Sequence, residues 1–103
     1  MTESEFNRLA DAALARIETA IDNCSGDVEC NRSGNVLEIE FGDSQKIIIN
    51  RHDVNQEIWV AAKSGGFHYA WLDGMWHSRR DDSELFGKLI ELFAAQGEQI
   101  SLP

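Results

Sequence analysis

The chain has 103 residues, 43% hydrophobic and 9% aromatic, and this length and composition predict one compact domain spanning residues 1–103. Eighteen acidic residues against nine basic ones give a formal net charge of −9. Because proteins that neutralise phosphates rely on lysine and arginine, this charge argues against binding to nucleic acid or to an anionic membrane surface. It favours cations and basic protein surfaces as partners.

The negative charge is concentrated near the start of the chain. The first 43 residues hold ten acidic and three basic side chains, whereas the other 60 hold eight and six. No stretch approaches the roughly 18 apolar residues of a membrane span, and the acidic N-terminus does not resemble a secretory signal. We therefore expect a cytoplasmic protein in which both cysteines, Cys24 and Cys30, are reduced.

Apolar residues recur at helical spacing from Phe6 to Ile21 and predict the first helix, which should stop at 24–26. Asp11, Glu18 and Asp22 are seven and four residues apart, so they lie within about 40° of one another around the helix axis. That direction is away from the apolar stripe. The three carboxylates should therefore form a row that faces solvent.

Alternating apolar residues separated by short turns predict five strands and a sixth, shorter one. These strands are expected at 27–31, 36–41, 45–51, 58–63, 67–72 and 75–77, with a turn at 32–35 after the first. The short turns favour an antiparallel meander.

A second helix is predicted over 82–96, with Asp81 and Glu84 as a capping box and Gly97 after its end. The order of a helix, several antiparallel strands and a helix indicates the α+β class. We expect a two-layer α-β sandwich in which both terminal helices pack on one face of the antiparallel sheet and leave the other face in solvent.

Sequence motifs for catalysis are missing. The chain has no phosphate-binding glycine loop, no His-Glu-x-x-His, no Cys-x-x-Cys and no Gly-x-Ser-x-Gly, and its histidines, His52, His68 and His77, are dispersed. We therefore do not expect an enzyme. Zinc bound by Cys24, Cys30 and a histidine would match no familiar spacing, so both cysteines are interpreted as small hydrophobic residues.

The acidic row could bind a metal ion or could simply keep the protein soluble. Carboxylate oxygens suit hard cations, and an open surface leaves water in most coordination positions, so binding should be millimolar to micromolar. If the first strands pack beside the first helix, further acids would extend the row into one ridge: Asp27, Glu29, Glu38 and Glu40. The alternative is a solvated helix face without a ligand.

Trp59 is a second candidate functional feature, besides the acidic row. If Ile58 and Val60 face the helices, Trp59 points outward from the sheet near Asn50 and His68. An exposed tryptophan on a sheet is typical of a contact anchor, unless a loop covers it.

Three segments resemble bacterial frataxins of the CyaY type: SEFNRLAD at 4–11, KIIINR at 46–51 and IWVAAKSGGFHY at 58–69. They occur in the family's order and separation, so the resemblance covers nearly the whole chain. It implies the frataxin-like sandwich and an iron-binding protein of iron–sulfur cluster assembly. Such proteins bind ferrous and ferric iron weakly and contact the cysteine desulfurase that supplies sulfur. The resemblance also implies a cluster scaffold protein as a second partner and a monomer that iron can drive into oligomers.

The resemblance assigns roles to particular residues of this chain. Metal binding falls on five acids: Asp11, Glu18, Asp22, Asp27 and Glu29. Partner binding falls on four residues that match the family's characteristic sheet-face positions: Asn50, Arg51, Trp59 and His68.

The sequence also departs from the family pattern. Thr19 and Asn23 stand where relatives commonly carry acids, while His52 replaces a customary glutamine and Val54 a customary proline. Our hypothesis is that the acids hold iron loosely and dock on a basic patch of the desulfurase, with Trp59 as an anchor. The rival hypotheses are an interaction module with incidental metal binding and a ferroxidase.

Overall fold

The computed structural model describes residues 1–24, 26–78 and 80–102. Two helices and six strands follow one another along the chain, in the order α1 (Glu3–Asp22), β1 (Val28–Ser33), β2 (Val36–Phe41), β3 (Lys46–His52), β4 (Glu57–Ala62), β5 (Gly65–Leu72), β6 (Met75–His77) and α2 (Leu85–Ala95). The strands form one antiparallel sheet in the order β1-β2-β3-β4-β5-β6. The expected α+β two-layer sandwich is confirmed.

Helix α1 begins with a capping box. The Thr2 hydroxyl accepts a hydrogen bond from the Glu5 backbone N–H at 3.0 Å, and the Glu5 carboxylate accepts one from the Thr2 backbone N–H at 3.2 Å. Its apolar stripe is buried, as the spacing predicted, and includes Phe6, Leu14 and Ile17.

Strand alternation sends one set of side chains into the core. The inward residues come from β2 to β6 and pack against both helices: Leu37, Ile39, Phe41, Ile47, Ile49, Ile58, Val60, Tyr69 and Trp76. The rings of Phe41 and Phe93 meet edge to face with centroids 4.9 Å apart, which ties β2 to α2. The residues between the inward ones form the outer face of the sheet, which no helix covers.

Several predicted boundaries were wrong, those of β3, β4 and β5 by one or two residues, and the errors at β1 and α2 have structural consequences. Strand β1 continues through Ser33, and the turn consists of Gly34 and Asn35 alone, because Gly34 adopts the left-handed φ of +60° that a tight hairpin needs. Arg32 therefore lies in a strand rather than in a turn.

Helix α2 starts at Leu85, three residues later than predicted. Asp82 has a φ of +57°, which no α-helix contains, so the helix cannot begin there. The Asp81 carboxylate accepts hydrogen bonds from the Ser83 backbone and hydroxyl, while Glu84 is the N-cap and accepts one from the Gly87 backbone N–H at 2.9 Å. Gly97 ends the helix with a φ of +77°, as predicted.

None of the helices in the described ranges is long and apolar enough to cross a membrane.

Tyr69, the single tyrosine of the chain, tests the packing between the sheet and the segment before α2. Its side chain is fully buried, and its hydroxyl lies 3.1 Å from the Ser83 hydroxyl. Burial, with a smaller effect of nearby acids, raises the pKa of Tyr69 to about 12. The folded state therefore keeps this proton between pH 10 and 12, where the unfolded chain loses it.

We expect the free energy of unfolding to hold steady up to pH 10 and then to fall by about 2 kcal/mol by pH 12. Tyrosinate absorbance in the folded protein should appear only near pH 12, and urea unfolding of Tyr69→Phe should lack this component of the pH dependence. An absorbance midpoint near pH 10 without unfolding would contradict the buried position.

Candidate functional site

The acids of α1 form the expected row, but arginine residues of the sheet form ion pairs with some of them. Arg32 of β1 lies on the helix-facing side of its strand and donates hydrogen bonds to Asp11 Oδ1 at 3.0 Å and to Glu18 Oε1 at 3.1 Å. Asp22, at the end of α1, is exposed. We call Asp11, Glu18 and Asp22 the helix acids. Since Arg32 forms ion pairs with Asp11 and Glu18, the net negative charge of the helix acids is smaller than the sequence suggests.

Arg51 is the second arginine that contacts the helix acids. It lies on β3 with only 11% of its side chain exposed, and it donates hydrogen bonds to Asp11, to Asn7 Oδ1 at 2.6 Å and to Asp53 Oδ1 at 3.2 Å. The neighbouring Asn50 faces the outer side of the sheet, whereas Arg51 points toward α1. Of the four residues matched to the sheet face, Arg51 is therefore the one that the structure places on the helix side.

A second acidic group lies on the outer face, across β1 from the helix acids. Glu29 of β1 stands directly opposite Glu40 of β2, and both belong to the outward alternation of their strands. Neither carboxylate forms an ion pair within the described ranges, whereas Glu38 is 3.3 Å from Lys46 Nζ. Lys46 stands opposite Glu40 on the β3 side, although its Nζ contacts Glu38 instead. Like charges opposite each other in a sheet are destabilising, so the Glu29–Glu40 pair favours a bound cation.

Asp27 lies at the start of β1, next to this pair. Its carboxylate fills the space beside Gly42, where an added Cβ would come within 2.5 Å of Asp27 Oδ2. Its backbone N–H donates a hydrogen bond to Glu98 Oε2 at 3.1 Å. We call Asp27, Glu29 and Glu40 the outer acids. The expected single ridge is therefore two groups of carboxylates on either side of the edge strand.

Neither group is a preformed coordination site. No group of three or more histidine, cysteine, aspartate or glutamate residues within residues 1–24, 26–78 and 80–102 is arranged to hold a metal ion. The two cysteines are free thiols, and Cys24 Sγ donates to the Gln99 carbonyl oxygen at 3.4 Å. Burial and the nearby Asp22 and Glu18 raise the pKa of the Cys30 thiol, which disfavours the thiolate that zinc requires.

The outer face carries an aromatic stack. The Trp59 indole lies between two imidazoles, with centroid distances of 4.0 Å to His52 and 4.2 Å to His68 and interplanar angles of 7° and 8°. Its Nε1–H donates a hydrogen bond to Glu57 Oε1 at 2.8 Å, which fixes the ring in its plane. Asn50 stands opposite Trp59 in the register. Trp59 is half-buried by its neighbours rather than covered by a loop.

Sequence reasoning missed the residues that shape these surfaces. Arg32 was assigned to a turn, so its approach to α1 was not expected. His68 was expected near Trp59, but the three histidines were otherwise considered dispersed, whereas β3, β5 and β6 place His52, His68 and His77 on the same outer face. The alternation of β3 could have shown this for His52, because it lies two residues after the outward-facing Asn50.

The fold and these surfaces define a small protein of the α+β class whose candidate functional groups lie on open surfaces. The chain belongs to the frataxin-like family, because the model of the frataxin-like domain matches residues 1–99. An iron-sulfur cluster assembly protein CyaY from Dechloromonas aromatica is 51% identical over 104 residues, covering 99% of each chain.

Two solved structures are similar to this chain. Frataxin from Psychromonas ingrahamii, of the CyaY protein family, superposes with a TM-score of 0.90 at 32% identity, covering 98% of this chain and 97% of that one. Trimeric frataxin from the yeast Saccharomyces cerevisiae, complexed with ferrous iron, gives a TM-score of 0.57 at 26% identity, covering 88% of this chain and 81% of that one.

The contacts of Arg51 predict a structural role that can be measured. Replacing it by methionine keeps an apolar stem over the Phe6 ring but removes the hydrogen bonds that join β3 to α1. We expect Arg51→Met to lower the free energy of unfolding in urea by about 1–3 kcal/mol. Arg8→Met, which removes the same charge from an exposed position of α1, should change it by less than about 0.5 kcal/mol. Equal effects of the two substitutions would show that the Arg51 contacts contribute nothing specific.

Proposed function

We propose that this protein acts in iron–sulfur cluster assembly, where it binds ferrous or ferric iron weakly through surface carboxylates and modulates the cysteine desulfurase that supplies sulfur. Family membership and the names of its relatives support the pathway. The observation that carries the iron-binding part is the facing pair Glu29 and Glu40, neither of which forms an ion pair within the described ranges.

The chemistry of the outer acids suits an exchangeable cation. Carboxylate oxygens are the ligands that hard cations prefer, and a cation between Glu29 and Glu40 relieves their mutual repulsion. Since the residues that the structure describes contain no group of three such ligands arranged to hold a metal ion, water would fill most coordination positions. Iron is thus a cargo that exchanges readily. In this proposal Asp11, Glu18, Asp22, Asp27 and Glu29 are the metal-binding residues, and Glu40 joins them.

The same negative surfaces provide the docking force toward the desulfurase. A basic patch on the partner would be attracted over long range by the acids around β1, which favours rapid and salt-dependent association. The outer face would then be a contact area, with Asn50, Trp59 and His68 touching the partner. Arg51, buried on the helix side, would act by holding Asp11 and β3 in place.

A second candidate function is an interaction module whose metal binding is incidental. Two observations favour it: Arg32 already neutralises Asp11 and Glu18, and the described residues include no three-ligand cluster. In this case the carboxylates serve the partner alone, and substitutions that abolish regulation would leave iron loading intact.

An anaerobic titration with ferrous iron, followed by amide NMR signals, tests the iron-binding part. We expect broadening at the helix acids and the outer acids between micromolar and millimolar iron. Glu29→Gln should weaken binding by roughly threefold or more, because one of two facing charges is lost. Glu91→Gln, which removes the same charge from an exposed position on α2, is the matched control and should have little effect.

Arg32→Met should strengthen iron binding at the helix acids in the same titration, because it frees Glu18 from its internal counter-ion and leaves Asp11 paired with Arg51 alone. The iron-binding part is wrong if no amide signal responds up to millimolar iron in the unsubstituted protein or in Arg32→Met. The interaction module would then be the better account.

Binding to purified desulfurase tests the docking part. We expect the affinity to fall steeply as salt rises from roughly 0.05 to 0.3 M, since exposed charges are screened beyond about 8–10 Å. Trp59→Ala should fold and yet bind about tenfold more weakly or worse. An affinity that does not change with salt concentration would refute the electrostatic docking. A folded Trp59→Ala variant that binds normally would refute the role of Trp59 as an anchor.

A further inference from the structure

The aromatic stack restricts what Trp59 can offer to a partner. Both faces of its indole are covered by imidazole rings that lie nearly parallel to it, at 4.0 and 4.2 Å. A partner can therefore reach the Trp59 indole only at its edge. Aromatic ring edges carry partial positive charge, and imidazole nitrogens include hydrogen-bond donors. The exposed part of the stack thus favours groups rich in acceptors.

A cavity of about 300 Å³ opens beside the stack on the same outer face. His68 belongs to both, because one side of its ring stacks on Trp59 while the residue also lines the cavity. The space exists because Gly66 and Ala70, which flank His68 on β5, carry little or no side chain. The complete lining is Glu57, Gly66, His68, Ala70, His77 and Arg80.

Arg80 supplies the cavity with a guanidinium that has no internal carboxylate. Its Nη1 donates a hydrogen bond to the Gly66 carbonyl oxygen at 3.3 Å, which holds the side chain across β5. Arg32 and Arg51 are paired with aspartate or glutamate, but Arg80 forms no ion pair with any residue that the structure describes. The planar guanidinium matches a carboxylate with two parallel hydrogen bonds.

The one carboxylate in the lining, that of Glu57, forms no ion pair with Arg80. Glu57 Oε1 accepts the hydrogen bond from Trp59 Nε1 at 2.8 Å, so this acid is engaged by the stack. The other two polar residues of the lining, His68 and His77, have imidazole rings, whose N–H groups donate hydrogen bonds. This patch therefore combines a guanidinium with several hydrogen-bond donors, whereas the surface around β1 presents carboxylates.

We propose that the patch formed by His52, Trp59, His68, His77 and Arg80 binds an acidic segment of a partner protein and takes one of its carboxylate side chains into the cavity at Arg80. The inference rests on the proposed docking role of the outer face and names the chemistry of what docks there. A segment of protein fits better than a free organic acid, because the cavity continues into the exposed stack, which a small molecule would leave uncovered. The partner thus presents basic groups to the β1 side and an acidic group to this patch.

The test uses the whole protein and a capped peptide, Leu-Asp-Glu-Asp-Leu, with Leu-Asn-Gln-Asn-Leu as its neutral counterpart. Amide NMR titrations at roughly 0.15 M salt limit the repulsion from the net charge of the protein. We expect the acidic peptide to shift the signals of Gly66, His68, Ala70 and His77, and the neutral peptide to leave them unchanged. Arg80→Gln should weaken binding by about tenfold, whereas Arg8→Gln, with the same loss of charge on α1, should not.

The inference is overturned if the acidic peptide shifts none of these signals, if both peptides bind alike, or if Arg8→Gln weakens binding as much as Arg80→Gln. Measuring the binding of Trp59→Ala to the desulfurase distinguishes a failure of this inference from a failure of the proposed docking role. A weakened desulfurase complex together with no peptide binding refutes the acidic-segment inference and leaves the docking role standing, whereas an unchanged complex refutes the docking role as well.

Discussion

The burial of one face of a six-stranded sheet under two helices determines where every functional side chain of this protein lies. Because successive residues of a strand point to opposite sides, the apolar residues that must reach the core fix the direction of their neighbours. Ile49 and Val60 are buried, so Asn50 and Trp59 face outward and Arg51 faces α1. On β1, the same constraint turns Arg32 toward the helix acids and Glu29 away from them.

Much of the fold could be predicted from periodicity, because each helix has one apolar stripe and each central strand alternates cleanly. The predictions failed where backbone conformation, rather than hydropathy, decides. The left-handed φ of Asp82 delays α2, and a two-residue turn at Gly34 lengthens β1. Neither departure is visible in the pattern of apolar residues, since aspartate is an ordinary first-turn residue and the segment 32–35 has a typical turn composition.

The candidate site was predictable as a list of acids but not as an arrangement. Sequence spacing placed Asp11, Glu18 and Asp22 on one side of α1, which the structure bears out, because that spacing is local. The partners of these acids come from residues 14 to 40 positions away, and only the register of β1 and β3 brings Arg32 and Arg51 to them. Charge counting alone therefore overestimated the negative surface of the helix and underestimated that of the outer face. The result is two surfaces of different character, one acidic around β1 and one rich in hydrogen-bond donors around Trp59.

The carboxylates around β1 also bear on how the protein avoids self-association. Strand β1 is at the edge of the sheet, so its outer backbone N–H and C=O groups have no strand beside them and could pair with another chain. The opposite edge, β6, is only three residues long and offers little to pair with. Repulsion between the carboxylates that flank β1 keeps two such edges apart. If a cation neutralised these charges, the repulsion that separates two β1 edges would be lost.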